Sequence, residues 1–392
     1  MPAVAVCAAL FLTGADWRQF RGNESNGQAA DAGPTSFDKL AWKAELPGRG
    51  LSAPVVVGGR VVLTASSGHQ QDRLHVLCFD DDTGNLAWER QFWATGRTQT
   101  HPKICVASSS PASDGRRVFA QFSTNDVACL DLDGNLLWFR TLGYDHPNAN
   151  NSLGMASSPV VADGTLVVQV ESDAEAFALG IDAESGLDRW RVDRPQRSNW
   201  TSPTVLRDEG GRATAVLLQS SRGVQAVEPQ SGKELWAYRE GASTVESSAL
   251  KDGVTYVPSH GLTALRPVES SDAPEMLWRS NRLGPGTASP VIVGDRVYVI
   301  NSAGVLIAAS LTDGEIAWRL RIEGPHTSSP VAAGELLYAV NEEGTARIIR
   351  LGRENGEVVA ESVLGETILA TPALASGALY VRSDGRLWKY AR

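Results

Sequence analysis

One unit is written repeatedly along this chain, and the repetition constrains the fold more than any other feature. The unit opens on small hydroxyl residues ahead of proline. It continues through short apolar runs parted by glycine and ends in a turn followed by tryptophan. The front element recurs as Ser52-Ala53-Pro54, Ser109-Ser110-Pro111, Ser157-Ser158-Pro159 and Thr201-Ser202-Pro203, then as Ser247-Ser248-Ala249, Ala288-Ser289-Pro290, Ser328-Ser329-Pro330 and Ala370-Thr371-Pro372. The back element, Gly-x-x-x-Trp, is present at Gly84/Trp88, Gly134/Trp138, Gly186/Trp190, Gly232/Trp236 and Gly314/Trp318. Trp278 fits without its glycine, and at Gly356 an alanine, Ala360, stands where the tryptophan should be. A period of about 40–50 residues holding four short β-rich segments is the arithmetic of a propeller blade.

The sixth unit predicts the blade in detail. Ser289–Val293, Arg296–Ile300, Val305–Ala309 and Glu315–Leu320 read as strands a to d, with glycine-containing hairpin turns between them. The last unit has strands a, b and c and then stops, whereas Leu40–Leu46 reads as an orphan strand d near the start. The N-terminal strand is therefore expected to complete the C-terminal blade, leaving no unpaired end blade. The predicted fold is all-β: an eight-bladed propeller of four-stranded antiparallel blades in a single domain over residues 37–392, preceded by an N-terminal extension over 16–36.

Composition limits the function classes. Acidic residues exceed basic ones by 45 to 36, a net charge of −9, and no basic run interrupts the sequence. A nucleic-acid surface needs clustered Lys and Arg, so that class is set aside. The apolar stretch Pro2–Thr13 is too short to span a bilayer but has the length of a signal-peptide core, and Thr13-Gly14-Ala15 offers small residues for cleavage. Residues 1–15 are read as a signal peptide lacking its basic start, and the expected location is exported, periplasmic or at the cell surface. The four cysteines show no CxxC pair. Cys78 and Cys129 fall at matching positions of adjacent blades and are expected to be free thiols, since equivalent sites on neighbouring blades are too far apart to bridge.

The tryptophans explain themselves through packing. A Trp on strand d can lie in the cleft between blades if a small residue receives it, and Cys78, Cys129, Gly180, Ala226 and Ala308 occupy the required place. The docking set is Trp42, Trp88, Trp138, Trp190, Trp236, Trp278 and Trp318. Cys78-Phe79-Asp80-Asp81-Asp82-Thr83-Gly84-Asn85-Leu86-Ala87-Trp88 resembles the tryptophan-docking motif of the quinoprotein family, with Cys in place of Ala; Gly180–Trp190 and Ala226–Trp236 resemble it more loosely. That family comprises eight-bladed propellers of dehydrogenases using pyrroloquinoline quinone (PQQ), and the likeness runs from about Leu40 to Arg392. The opening Asp16–Gly22 is similar to the start of exported PQQ-like repeat proteins of planctomycete-type bacteria. A second architectural resemblance is to the propeller lipoprotein of the outer-membrane β-barrel assembly machine.

The resemblance implies a list to check. PQQ dehydrogenases hold the quinone above the channel, often between a Trp floor and a disulfide of adjacent cysteines, with a calcium ion on Glu, Asn and Asp and an Asp base. No adjacent cysteine pair occurs here. Segments ahead of each strand a are expected to gather at one channel mouth, bringing Arg49, His101, Lys103, Asn151, Trp200, Glu246 and His326 together as a ligand-binding set. Trp200 stands outside the docking schedule and could stack on a flat ligand. Glu246 and Asn151 supply oxygens of the kind calcium prefers. His101 and Lys103 could hold an anionic group. The long segments Thr95–Lys103 and Tyr144–Asn151 place the elaborated side at blades 1–4. Asp131-Leu132-Asp133-Gly134-Asn135 lacks a terminal acidic ligand and reads as a turn rather than a calcium loop. No GxSxG, HExxH, Walker or GxGxxG motif occurs.

Two functions follow. The first is an exported, non-catalytic binding or scaffold propeller holding a protein, a surface polymer or a small ligand at the channel mouth, monomeric because a closed ring needs no partner for stability. The alternative is a PQQ- and calcium-dependent oxidoreductase acting on an alcohol or sugar.

Overall fold

The computed structural model describes residues 16–392; the expected signal segment and Cys7 lie outside the described residues. Eight antiparallel sheets follow one another along the chain, each running a to d from axis to rim. Blade 1 is Val55–Val57, Arg60–Ser67, Arg73–Asp80 and Leu86–Trp93, and blade 6 is Val291–Val293, Arg296–Ile300, Val305–Ser310 and Ile316–Arg321. Each innermost strand touches those of both neighbours, with blade 8 meeting blade 1. The ring is an eight-bladed β-propeller.

It closes as the orphan strand predicts. Leu40–Glu45 pairs antiparallel with Arg386–Tyr390, Lys43 opposite Trp388 and Glu45 opposite Arg386. The seam is further tied through Asp81 of blade 1. Its carbonyl receives the Trp42 indole N–H at 2.7 Å, and its carboxylate receives Lys389 Nζ at 2.8 Å and the Tyr380 hydroxyl at 2.5 Å.

Five docking tryptophans sit opposite the small residue expected of them: Trp88 opposite Cys78, Trp138 opposite Cys129, Trp190 opposite Gly180, Trp236 opposite Ala226 and Trp318 opposite Ala308. Trp278 faces Ala264, whereas Trp42 of the closing strand faces Lys389. Cys78 and Cys129 are buried free thiols. The motif glycine has a different customer from the one the linear pattern suggests: it receives the indole of the preceding blade. A Cβ on Gly134 would lie 2.6 Å from the Trp88 ring, and one on Gly84 would lie 2.5 Å from Trp42. The same indoles donate to carbonyls of the next blade's turn, Trp88 to Leu132 at 2.9 Å and Trp318 to Gly352 at 3.0 Å. Gly356 thus serves Trp318 although its own blade has Ala360. The turn itself is built by its aspartate. Asp80 Oδ1 accepts the Thr83 N–H at 3.0 Å and the Thr83 hydroxyl at 2.8 Å, an Asx-type turn that explains the D-x-x-T-G spelling. Asp131 does the same for Asp133 and Asn135, so that segment is the turn it was expected to be.

Residues 16–36 lie across the axis. Trp17 exchanges backbone hydrogen bonds with Val56 of blade 1 at 2.8 and 2.9 Å, and the Ser113 amide of blade 2 donates to Arg18 O at 2.7 Å. On the far side the Ile292 amide donates to Asn26 O, and Gln28–Ala29 runs parallel to strand a of blade 7. The segment therefore takes up backbone groups that inner strand edges would otherwise present to the channel.

Candidate functional site

The front element folds into a ring of hydrogen bonds around the axis. Entering strand a, the Ala53 amide donates to Ser110 Oγ of the next blade at 2.8 Å. The pattern then repeats: Ser110 to Ser158 at 2.9 Å, Ser158 to Ser202 at 2.9 Å, Ser202 to Ser247 at 2.9 Å, Ser247 to Ser289 at 3.0 Å, Ser289 to Ser329 at 2.9 Å, and Ser329 to Thr371 at 3.0 Å. The eighth position is Ala53, which offers no hydroxyl to Thr371. Proline follows each ring residue because its nitrogen has no proton to satisfy there. Blade 5 alone has Ser248 at that place, and Gln219 Oε1 accepts its amide at 3.0 Å.

These hydroxyls line a funnel of about 420 Å³ at the channel mouth, within the size range of small-molecule sites. Two residues ahead of each ring position, extended backbone brings a second layer to the axis: Leu51, Ser108, Ala156, Trp200, Val245, Thr287, Thr327 and Leu369. Phe20, carried in by the N-terminal segment, also lines it, and His101, Lys103, Ile104 and Leu153 stand over the blade 1–3 side. The two long connections are tied together there, the His101 amide donating to Leu153 O at 2.9 Å.

Of the seven residues singled out from sequence, His101, Lys103 and Trp200 line this funnel. The Trp200 indole N–H donates to Gly154 O at 2.8 Å, and Lys103 Nζ pairs with Glu342 Oε1 of blade 7 at 2.8 Å. Arg49 lies in an adjoining groove beside Lys103 and Glu342, donating to Pro102 O and pairing with Asp384 at 3.3 Å. Asn151 closes its own turn, its Oδ1 accepting the Leu153 amide at 2.9 Å. His326 is buried, with Nδ1 against Gly324 O at 3.0 Å and Nε2 left without a partner. Glu246 faces a separate cleft with Ser243, Pro258 and His260. The reason is register. Blade 5's front element is Glu246-Ser247-Ser248 rather than Ser247-Ser248-Ala249, so Glu246 takes the first place and Val245 the channel-facing one; a one-residue slip reverses the face. Glu246 and Asn151 are therefore not brought together as an oxygen pair.

Two guanidinium groups escape sequence reasoning. Arg21, 1% exposed, donates to the carbonyls of Ser247, Ser248 and Pro290, and its Nε has no partner. Arg382, 0% exposed, reaches Ser52 Oγ at 2.9 Å and Thr64 O at 2.7 Å. Neither has a carboxylate at ion-pair distance among the described residues. Desolvation by burial lowers Arg21 to about 9 and Arg382 to about 10. Burial likewise lowers His326 to about 4. A further arrangement invisible in the sequence lies on blade 1. Ser67 Oγ is 2.7 Å from His75 Nε2, and His75 Nδ1 is 2.5 Å from Glu89 Oε1. None of the three lines the funnel, and the two bonds satisfy a His that is 3% exposed.

The funnel's chemistry does not fit a PQQ–calcium pair. Its lining holds hydroxyls, one indole, the Phe20 ring, His101, Lys103 and aliphatic side chains, with no carboxylate or carboxamide to cage a calcium ion. Among the described residues no cluster of His, Cys, Asp and Glu is placed to hold a metal. No helix of the described residues is long and apolar enough to cross a membrane.

Comparison with known proteins agrees with the architecture. A family profile described as outer membrane protein assembly factor BamB matches residues 35–156, 151–260 and 268–359. The BamB of Alkalilimnicola ehrlichii is 29% identical over 225 residues, covering 56% of this chain and 52% of that protein. A polyvinylalcohol dehydrogenase of a Sphingopyxis species is 25% identical over 268 residues, covering 56% of this chain and 39% of the enzyme. The chain thus matches about half, or less, of these relatives' own lengths. The crystal structure of BamB from Moraxella catarrhalis superposes with a TM-score of 0.64 at 16% identity, covering 90% of this chain and 97% of that one. Quinohemoprotein alcohol dehydrogenase from Comamonas testosteroni gives 0.72 at 14% identity, covering 96% and 80%. Blade repeats, docking tryptophans and the matched profile together place this chain in the PQQ-like β-propeller family that includes BamB.

Proposed function

We propose that this protein is an exported, monomeric, non-catalytic binding propeller that engages its target at the funnel mouth. The carrying observation is the funnel lining: donors and apolar surface converge there, while the carboxylate and carboxamide oxygens needed to cage calcium are elsewhere. The long blade 1–2 and 2–3 connections add a raised wall on one side, where loops carry binding residues without disturbing the blades. The oxidoreductase reading draws on the polyvinylalcohol dehydrogenase relatives and on Trp200 at the wall; the lining chemistry weighs against it. The test is to add PQQ and calcium to the purified protein and follow dye reduction with alcohols, aldoses and polyvinyl alcohol. No quinone-dependent turnover is expected; turnover lost in Trp200→Ala would establish the enzyme reading instead. Cell fractionation of the producing organism tests export.

A further inference from the structure

Resting on that binding reading, we propose that the funnel takes a small organic monocarboxylate, its acid group in the hydroxyl ring and its apolar body against Phe20, Trp200 and the aliphatic second layer.

The ring is a set of donors. A serine hydroxyl carries one proton and two lone pairs. Each ring hydroxyl already accepts an amide proton from the preceding blade. Its own O–H is left to donate, and the hydroxyls of all seven links line the same funnel. Beneath blades 5 and 6, Arg21 holds a buried guanidinium on the carbonyls of Ser247, Ser248 and Pro290. An ion removed from water and paired only with neutral carbonyls is poorly compensated, and its field favours an anion nearby. Arg382 adds a second such charge at the seam between blades 8 and 1. No acidic side chain lines the funnel itself. Glu342 stands behind its wall, neutralised by Lys103 and accepting the Thr327 hydroxyl, and Asp384 acts on Arg382 alone of the two guanidinium groups.

The second layer sets the rest of the ligand. Leu51, Trp200, Val245 and Leu369 surround the axis above the ring, and Phe20 also contributes. Apolar area and an indole face suit an aryl or alkyl body. A trianion such as PQQ would force further carboxylates against these aliphatic walls, whereas a single carboxylate matches one polar ring. The same chemistry is presented by a free aryl-alkanoic acid and by the C-terminal carboxylate of a peptide ending in an apolar residue.

The test is calorimetric titration of the whole protein with 4-phenylbutyrate, its methyl ester, and an acetylated Leu-Phe dipeptide with free or amidated C-terminus. Phenylbutyrate is expected to bind at least tenfold more tightly than its ester, with affinity falling as salt rises. Free dipeptide binding more tightly than phenylbutyrate identifies a peptide terminus as the source; the reverse identifies a free acid. Val245 is 42% exposed, so charge there leaves the fold intact. Val245→Asp is expected to weaken the acid at least tenfold and Val245→Lys to strengthen it, with the ester unmoved by either. Equal binding of acid and ester, indifference to the sign at position 245, or no binding of any acid at millimolar concentration overturns the proposal. A parallel PQQ–calcium titration separates the two failures. Silence in both leaves the binding reading and removes only this ligand class, whereas quinone binding removes the binding reading itself.

Discussion

Completing the hydroxyl ring should stabilise the protein. Ala53→Ser supplies the one oxygen that the pattern lacks, facing the Thr371 amide. The seven existing links span 2.8–3.0 Å with the same residue type in six of them, so the backbone around position 53 suits the serine geometry. One added intramolecular hydrogen bond contributes about 1 kcal/mol. The new hydroxyl keeps its own proton free toward the funnel, as in the other blades, so no new buried orphan is created. The converse is asymmetric: Ser202→Ala strips the acceptor from the Ser158 amide and costs about 1–3 kcal/mol, the penalty for a buried unsatisfied donor. At about 2.1 cal/mol/K per residue, a chain of 392 residues has an unfolding entropy near 0.8 kcal/mol/K, so 1 kcal/mol moves Tm only about 1 °C. Chemical denaturation is the better assay, joined to hydrogen exchange on the peptide containing Thr371. The Thr371 amide should exchange faster than the ring amides of the other blades in wild type and be protected in Ala53→Ser. A destabilised variant, or a Thr371 amide already protected in wild type, would refute the reasoning.

Three further outcomes follow. Gly134→Ala places a Cβ 2.6 Å from the Trp88 ring at a residue with φ +82°; left-handed strain and overpacking together should cost about 2–4 kcal/mol, read by denaturation, and a neutral variant would dismiss the shared-glycine docking. His326, pressed down to about 4 chiefly by burial, with the charges of Arg347 and Glu342 acting in opposite senses, binds fewer protons folded than unfolded between pH 4 and 6.5. Its contribution is intact above that window and declines as pH falls through it, by about 3 kcal/mol in total. Denaturation curves of wild type and His326→Gln should therefore converge as pH drops from 6.5 to 4, and parallel curves would contradict the assignment. Ser67 should resist a fluorophosphonate serine-hydrolase probe, its bond to His75 being structural; labelling abolished by His75→Gln would make it a nucleophile.

The repeat and the closing strand were legible because both are period signals: alternation marks strands, and a surplus strand at one end answers a deficit at the other. The docking tryptophans were legible for the same reason, but not their glycine partners, since a contact between Gly134 and Trp88 crosses from one blade to the next. The site was harder. Hydroxyls of the front element are plain in the sequence, yet a ring exists only after eight blades share an axis. Glu246 was misplaced because Ser248 occupies a proline position, which hides the register by one residue. Phe20 and Arg21 stood out only as part of the family-like opening Asp16–Gly22, with no role attached, since nothing in a linear pattern says that the segment ahead of the first blade crosses the channel.

On the proposed function, the funnel binds its target without quinone chemistry. Native mass spectrometry of the protein purified from its own source, under non-denaturing conditions, tests it most directly. No quinone–calcium adduct is expected, and any retained molecule should be a single acid displaced by salt. A stoichiometric quinone–calcium adduct would contradict it.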